Sequence, residues 1–360
     1  MSRVAWLPKS YSFIDRYPFF LRTAALKEDG KRQILYPKSD AGWLKTIFVV
    51  EGRALDKFLL PWLIVTLNAV AWTFIVEYKL PERKNTDFSS YESYFGLVMN
   101  SSLAFLLVFR LNRSAERYWS ARTSWGIIVA LGRTIVGSIL VHGQHDPSNR
   151  DGVVKWVAAF SVATMHFVRG MTKIAPDSLA GILNESEIEE METQAHMGLH
   201  AATQIRWHLK AAFKIDEMTP YGIAQERIQE LYAMEKQLNQ MMDQMGALER
   251  IRATPLPLVY VTHLRTFLLC FLFAMPYIWE SNLGYATIPI VSLTAFALLG
   301  LEGAAQEVES PFQKDRANHL SMDSYCLSLI GNTVQQIKYH ADRELESAHR
   351  PLKERENGRV

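Results

Sequence analysis

Hydrophobic residues are concentrated in four segments of the chain that contain no acidic or basic side chain. These segments are residues 58–76, 93–109, 266–279 and 281–301. A helix needs roughly 17 to 25 apolar residues to cross a bilayer. The pattern predicts an all-α integral membrane protein with four transmembrane helices per subunit, over about residues 57–78, 93–112, 256–280 and 283–302.

Lysine and arginine are distributed unequally around these segments. Eleven of them precede residue 58, and many more lie between residues 110 and 265. The link over residues 77–92 holds only Lys79, Arg83 and Lys84. The positive-inside rule therefore places both termini and the long middle region in the cytoplasm. The amino terminus shows no signal peptide. No organelle signal is visible either, so we expect the plasma membrane.

The middle region and the carboxyl-terminal region have a helical pattern. Apolar residues recur at three and four positions in "WGIIVALGRTIVGSIL" and "VVKWVAAFSVATMHFVRGM". We predict cytoplasmic helices over about residues 113–252 and 303–340, continuous in chain with the spans. Residues 1–340 then form a single channel-like domain, and residues 341–360 form a polar tail that frays.

Leu97, Ser101, Phe105 and Phe109 follow one another at intervals of four in the second span and so form a stripe along one helical face. An apolar stripe is ordinarily the face that packs on a neighbouring helix. The alternative is a stripe that lines a narrow pore between several copies of the chain, where phenyl ring edges face an anion. The pattern alone leaves both interpretations open.

Arg110 and Arg113 follow this stripe directly. They either mark the membrane edge and pair with a residue such as Glu116, or supply a positive field that concentrates anions at the inner mouth of a pore. Arg117 is compatible with a buried pair with a carboxylate.

Composition excludes several other classes of protein. A net charge of +2 gives no basic surface for nucleic acid, and two cysteines make no disulfide framework.

Glu192, His196 and His200 would share one helical face, which we interpret as solvated rather than as a metal site. No nucleophile elbow, P-loop or dinucleotide fingerprint is present, so we predict neither enzyme activity nor a cofactor. Glu302, Glu307 and Glu309 near Pro311 suggest either a metal clasp or the polar end of a helix.

Three stretches of the sequence resemble those of a known protein family, namely "FRLNRSAERYWSARTSWG", "ERIRATPLPLVYVTHLR" and "LLGLEGAAQEVESPFQKD". In this order and spacing they resemble the bestrophin family of anion channels, in particular its bacterial and fungal branch. The resemblance implies a homopentamer with one central pore. It places the pore neck at Ser101, Phe105 and Phe109, with Leu97 and Asn100 at the entrance and Arg110 and Arg113 at the inner mouth. It also implies a cytoplasmic constriction, for which Ile228 or Leu231 is a candidate.

The resemblance also bears on calcium. Animal members hold this ion with an acidic cluster after a Pro-Phe pair, whereas residues 313–318 here read "QKDRAN". One carboxylate beside two cations does not supply the oxygen ligands that calcium requires. The resulting hypothesis is a passive monovalent anion channel, conducting chloride, that calcium does not gate. The alternative is a non-conducting membrane scaffold whose cytoplasmic helices bind partners.

Overall fold

The computed structural model describes residues 52–80, 89–174, 178–179, 181–314, 316 and 318–357. Within these ranges every regular element is a helix. The α-helices are α1 (Leu55–Lys79), α2 (Ser89–His142), α3 (Pro147–Arg169), α4 (Glu185–Thr193), α5 (Met197–Ala212), α6 (Tyr221–Ala253), α7 (Leu258–Leu283), α8 (Thr287–Glu309) and α9 (Met322–Asn357), and a 3-10 turn (Gly284–Ala286) separates α7 from α8.

The chain forms two compact units, each built from segments that are distant in sequence. Of the described residues, the hairpin unit comprises those within 52–121 and 251–320, and the body unit comprises those within 122–250 and 321–357. Helix α2 contributes residues to both. The single domain predicted over residues 1–340 does not anticipate this division.

Helices α7 and α8 form a hairpin that packs on α1. Arg265 lies 19 residues before Gly284 and Glu302 lies 18 residues after it, and their side chains form an ion pair of 2.9 Å. The chain therefore folds back at Gly284, whose φ of 51° is accessible to glycine at low cost. Trp62 Nε1 of α1 donates to the Ser292 carbonyl oxygen at 2.9 Å and joins α1 to α8.

Three helical stretches among the described residues are long and apolar enough to cross a membrane. They are Leu55–Lys79, Ser101–His142 and Leu258–Glu309, and the third contains both helices of the hairpin. Their apolar side chains form one core, which includes Phe58, Val65, Leu103, Leu107, Leu264, Leu268, Phe271, Val291 and Ala295.

The core of the body unit is centred on α3, most of whose residues are buried. Asp146 caps the start of α3 with Pro147 in its first turn, and Gly170 ends it in the left-handed conformation. Helix α5 approaches α3 closely, because a Cβ on Gly152 would lie 2.5 Å from His208 Nδ1. Helix α9 packs on the same helix, where Cys326 Sγ donates to the Ser161 carbonyl oxygen.

The last helix differs from the expected polar tail. Helix α9 continues to Asn357, whereas the sequence analysis ends helical structure near residue 340. The extra segment, "ADRELESAHRPLKEREN", contains four Glu, three Arg and two Ala, which have high helix propensity, and the helix continues through Pro351 despite its low propensity. Predictions about residues 1–51, including the cytoplasmic position of the amino terminus, lie outside the described residues.

Candidate functional site

Helix α2 presents two different faces within the hairpin unit. Leu103, Leu107, Arg110 and Ser114 are all buried. Their spacing of four, three and four residues places them on one face. This buried face therefore packs on the rest of the hairpin unit. Phe105 and Phe109 do not lie on it.

The opposite face carries the predicted neck. Ser101 is exposed, and Phe105 and Phe109 expose 66% and 45% of their surfaces. The two phenyl rings contact each other, with centroids 5.5 Å apart. Among the described residues the stripe has no packing partner of the kind that the ordinary interpretation requires. The side chains of Leu97 and Asn100, the predicted entrance, lie outside the described residues.

Arg110 does not fit the prediction of an exposed charge at an inner mouth. Its side chain is 1% exposed, and its Nε lies 3.2 Å from Glu302 Oε2 while an Nη lies 2.8 Å from Glu309 Oε2. Arg265 occupies the other oxygen of Glu302. A buried guanidinium requires compensating carboxylates, so Arg110 is a structural charge that joins α2 to α8.

Arg117 forms a second link between α2 and the ends of neighbouring helices. Its guanidinium donates to the carbonyl oxygens of Glu309, Thr254 and Ile251. These are carbonyls at helix ends, which lack a partner within their own helix. The pair with a carboxylate side chain that the sequence analysis considered is therefore replaced by contacts with main-chain oxygens.

Arg113 has the exposure that Arg110 lacks. Its side chain is about half exposed and its Nη1 lies 2.9 Å from Glu116 Oε2, which is the pair that the ordinary interpretation anticipates. The guanidinium carbon also lies 5.4 Å from the centroid of the Phe109 ring, in a cation–π contact. Arg113 is therefore a charged residue in direct contact with the phenylalanine stripe.

The carboxylates near Pro311 contact cationic side chains. Arg316 donates two hydrogen bonds to Asp56, at 3.0 and 2.7 Å, and lies 3.5 Å from Glu307. His319 Nε2 lies 3.6 Å from the same Glu307. Asn318 donates to the Gly52 carbonyl oxygen at 2.8 Å. Arginine and asparagine side chains thus tie the segment after α8 to the start of α1.

Two further groups of candidate residues belong to the body unit. Ile228 on α6 is exposed and Leu231 is half-buried, and their role in a constriction stays a prediction. Glu192, His196 and His200 do not share one helix, because α4 ends at Thr193 and His196 caps the start of α5. Glu192 instead accepts from the Ile174 amide, and His196 contacts Glu249.

Sequence reasoning missed the role of Arg265 and did not connect Glu302 or Glu309 to Arg110. The available signal was physical: a charge at the edge of an apolar helix costs free energy unless it is paired. Arginines and glutamates flank the second, third and fourth apolar segments. The rule predicts that pairs exist but does not specify which residues form them.

Comparison with known proteins gives the class of this chain. Residues 33–335 match the model of the bacterial and fungal bestrophin proteins, and the chain belongs to that family. A crystal structure of a bacterial bestrophin homolog from Klebsiella pneumoniae has a similar fold, with a TM-score of 0.64, 21% identity, and coverage of 78% of this chain and 99% of that one.

Relatives with assigned names are similar over most of their length. A voltage-dependent anion channel-forming protein of Nostoc is 29% identical over 295 residues, which are 81% of this chain and 90% of the relative. A voltage-dependent anion channel-forming protein of Synechocystis is 30% identical over 246 residues, which are 67% of this chain and 76% of the relative. A chloroplastic voltage-dependent chloride channel of Arabidopsis thaliana is 24% identical over 242 residues, which are 66% of this chain and 54% of the relative.

Proposed function

We propose that this protein is a passive channel for monovalent anions, chloride included, and that Ser101, Phe105 and Phe109 line its neck. The observation that carries the proposal is the exposed stripe on α2, opposite the face that packs. Membership of the bestrophin family and the names of the cyanobacterial and plant relatives support anion conduction.

The stripe becomes a neck when several copies of α2 surround one axis, and we propose the homopentamer that the family resemblance implies. Anions that enter a narrow apolar neck lose part of their hydration, which costs free energy unless dipoles compensate. The positive edges of Phe105 and Phe109 and the hydroxyl of Ser101 supply such dipoles. Large monovalent anions, which dehydrate more easily, then permeate better than chloride. Leu97 and Asn100 would lie at the entrance.

We further propose that calcium does not gate this channel. The support is Arg316, whose guanidinium contacts the carboxylates of both Asp56 and Glu307 and offsets part of their negative charge. A divalent cation that bound these carboxylates would have to displace a bidentate arginine, which is an unfavourable exchange. In this proposal the protein lies in the plasma membrane with both termini in the cytoplasm.

The proposal is tested by current through the purified full chain in planar bilayers under a chloride gradient. We expect a reversal potential near the chloride equilibrium value that persists after calcium is chelated. Equal permeability of chloride, nitrate and iodide would contradict the dehydration argument. Absence of current from verified oligomers would favour the scaffold alternative.

Phe109→Ala tests the neck itself and has a matched control. Phe74 on α1 exposes 45% of its surface, as Phe109 does, so Phe74→Ala removes an equally exposed ring that is not on the stripe. We expect Phe109→Ala to change conductance or anion selectivity, and Phe74→Ala to leave both unchanged. Identical effects of the two variants would contradict the assignment of the neck.

A further inference from the structure

The exposed stripe of α2 does not end at Phe109 but continues into a charge pair. Arg113 is four residues after Phe109, and Glu116 is seven residues after it, which is about two helical turns. Both therefore lie on the same side of α2 as the phenyl rings. Their side chains are 55% and 63% exposed, so solvent or ions at the stripe reach both charges.

The contacts of Arg113 hold its charge next to the stripe. The guanidinium lies 5.4 Å from the Phe109 centroid and is bonded to Glu116 at 2.9 Å. The neighbouring Arg110 contributes little field there, because Glu302 and Glu309 neutralise it inside the unit. Among the described residues, Arg113 and its carboxylate partner Glu116 are therefore the exposed ion pair at this end of the stripe, while Arg117 directs its guanidinium to main-chain carbonyls.

We propose that Glu116 is a specificity-determining residue of the channel, a counter-charge that limits how strongly Arg113 attracts anions to the end of the neck. This inference rests on the proposed function. With both side chains present the pair is nearly neutral. Without Glu116 the arginine attracts anions, and without Arg113 the carboxylate repels them and attracts cations.

The size of the effect follows from Coulomb's law. One unit charge about 6 Å from an ion in water changes the local ion concentration by about three-fold. The Debye length is about 10 Å at 0.1 M salt and about 3 Å at 1 M. The contribution of Glu116 is therefore expected at low salt and should largely disappear at 1 M.

The test is the conductance and the chloride-to-potassium permeability ratio of the full chain in planar bilayers at about 0.1 M and about 1 M potassium chloride. We expect Glu116→Gln to raise anion conductance about two-fold at the lower concentration, because screening over about 6 Å roughly halves the Coulomb energy. Arg113→Gln should lower conductance and reduce the permeability ratio. The double variant should return close to the unmodified protein, because the pair is removed together.

Glu189→Gln is the matched control, since Glu189 is an exposed glutamate on α4 and its replacement changes the net charge equally. It should leave conductance unchanged. If anion current is present but Glu116→Gln and Glu189→Gln behave alike, the role of Glu116 is overturned while the channel function stands. If the unmodified protein carries no anion current, the proposed function and this inference both fail.

Discussion

Within residues 101–116, the two faces of α2 reverse the usual relation between polarity and burial. One face buries Arg110 and Ser114 beside Leu103 and Leu107, and the other leaves Phe105 and Phe109 exposed. The buried charge is compensated by two glutamates, whereas the exposed rings have no comparable cover within the part of the chain that the structure describes. The comparison teaches that the packing of α2 depends on one side of the helix, which leaves the opposite side available for the pore-lining role that we propose.

The largest expected effect comes from removing the charge on the buried face. Arg110→Ala leaves Glu302 and Glu309 without their shared arginine, and breaking a buried pair costs about 3 to 5 kcal/mol of unfolding free energy. Arg113→Ala, on the exposed face, should cost about 1 kcal/mol or less. Denaturant unfolding in detergent measures both. Equal losses would contradict the distinction between the two arginines.

Apolar residues on the two faces should separate in the same way. Leu103→Ala creates a cavity in the core of the hairpin unit and should lower the unfolding free energy by about 2 to 5 kcal/mol. Phe105→Ala removes a largely exposed ring and should change stability little, while it changes anion conductance. Thermal unfolding combined with bilayer recording distinguishes the two. A Phe105→Ala variant that is unstable but conducts normally would reverse our assignment of the faces.

The pH dependence of the unfolding free energy tests how burial of polar groups affects the segment after α8. Burial lowers the pKa of His319 to about 4, and nearby Arg316 and Lys57 act in the same direction, against Glu307. Between pH 6.5 and 4 the unfolded chain therefore binds more protons than the folded one. Stability should fall as the pH falls through this window, by about 3 kcal/mol in all.

His319→Gln is the control for this pH dependence, because glutamine does not titrate. The variant should show a smaller slope of unfolding free energy against pH between 6.5 and 4. An unchanged slope would show that other groups are responsible.

The smallest expected effect concerns the cation–π contact at the end of the exposed stripe. Phe109→Leu removes the ring under Arg113 and should cost about 0.5 to 1 kcal/mol beyond the loss of apolar area. Phe105→Leu is the reference, since the guanidinium of Arg113 lies over the ring of Phe109. If both variants have the same unfolding free energy, the contact contributes nothing measurable.

The sequence predicts much of the helical architecture, because charge-free runs are a direct consequence of an apolar environment. Helices α1, α7 and α8 overlap the predicted spans, although α8 begins four residues later and ends seven residues later than the predicted 283–302. It does not predict which face of α2 packs, since both faces are apolar over Leu103, Phe105 and Leu107. Neither periodicity nor propensity distinguishes a buried leucine from an exposed phenylalanine on the same helix.

The sequence also does not predict which charged residues pair with each other. Arg110 and Glu302 are 192 residues apart, and their contact depends on how the hairpin packs on α2. The family resemblance assigned Arg110 to a pore mouth because the residue directly follows Phe109. Successive helical residues point about 100° apart, which is why neighbours in sequence lie on different faces here.

The most direct test of the central claim is the effect of an anionic thiol reagent on current through Ser101→Cys. Cys270 is exposed and Cys326 is buried, so the variant is made together with Cys270→Ala. If the exposed stripe lines the anion pathway, the reagent blocks current in Ser101→Cys and leaves Cys270→Ala alone unaffected. Current that persists in Ser101→Cys after complete labelling would contradict the claim that this face of α2 lines the pore.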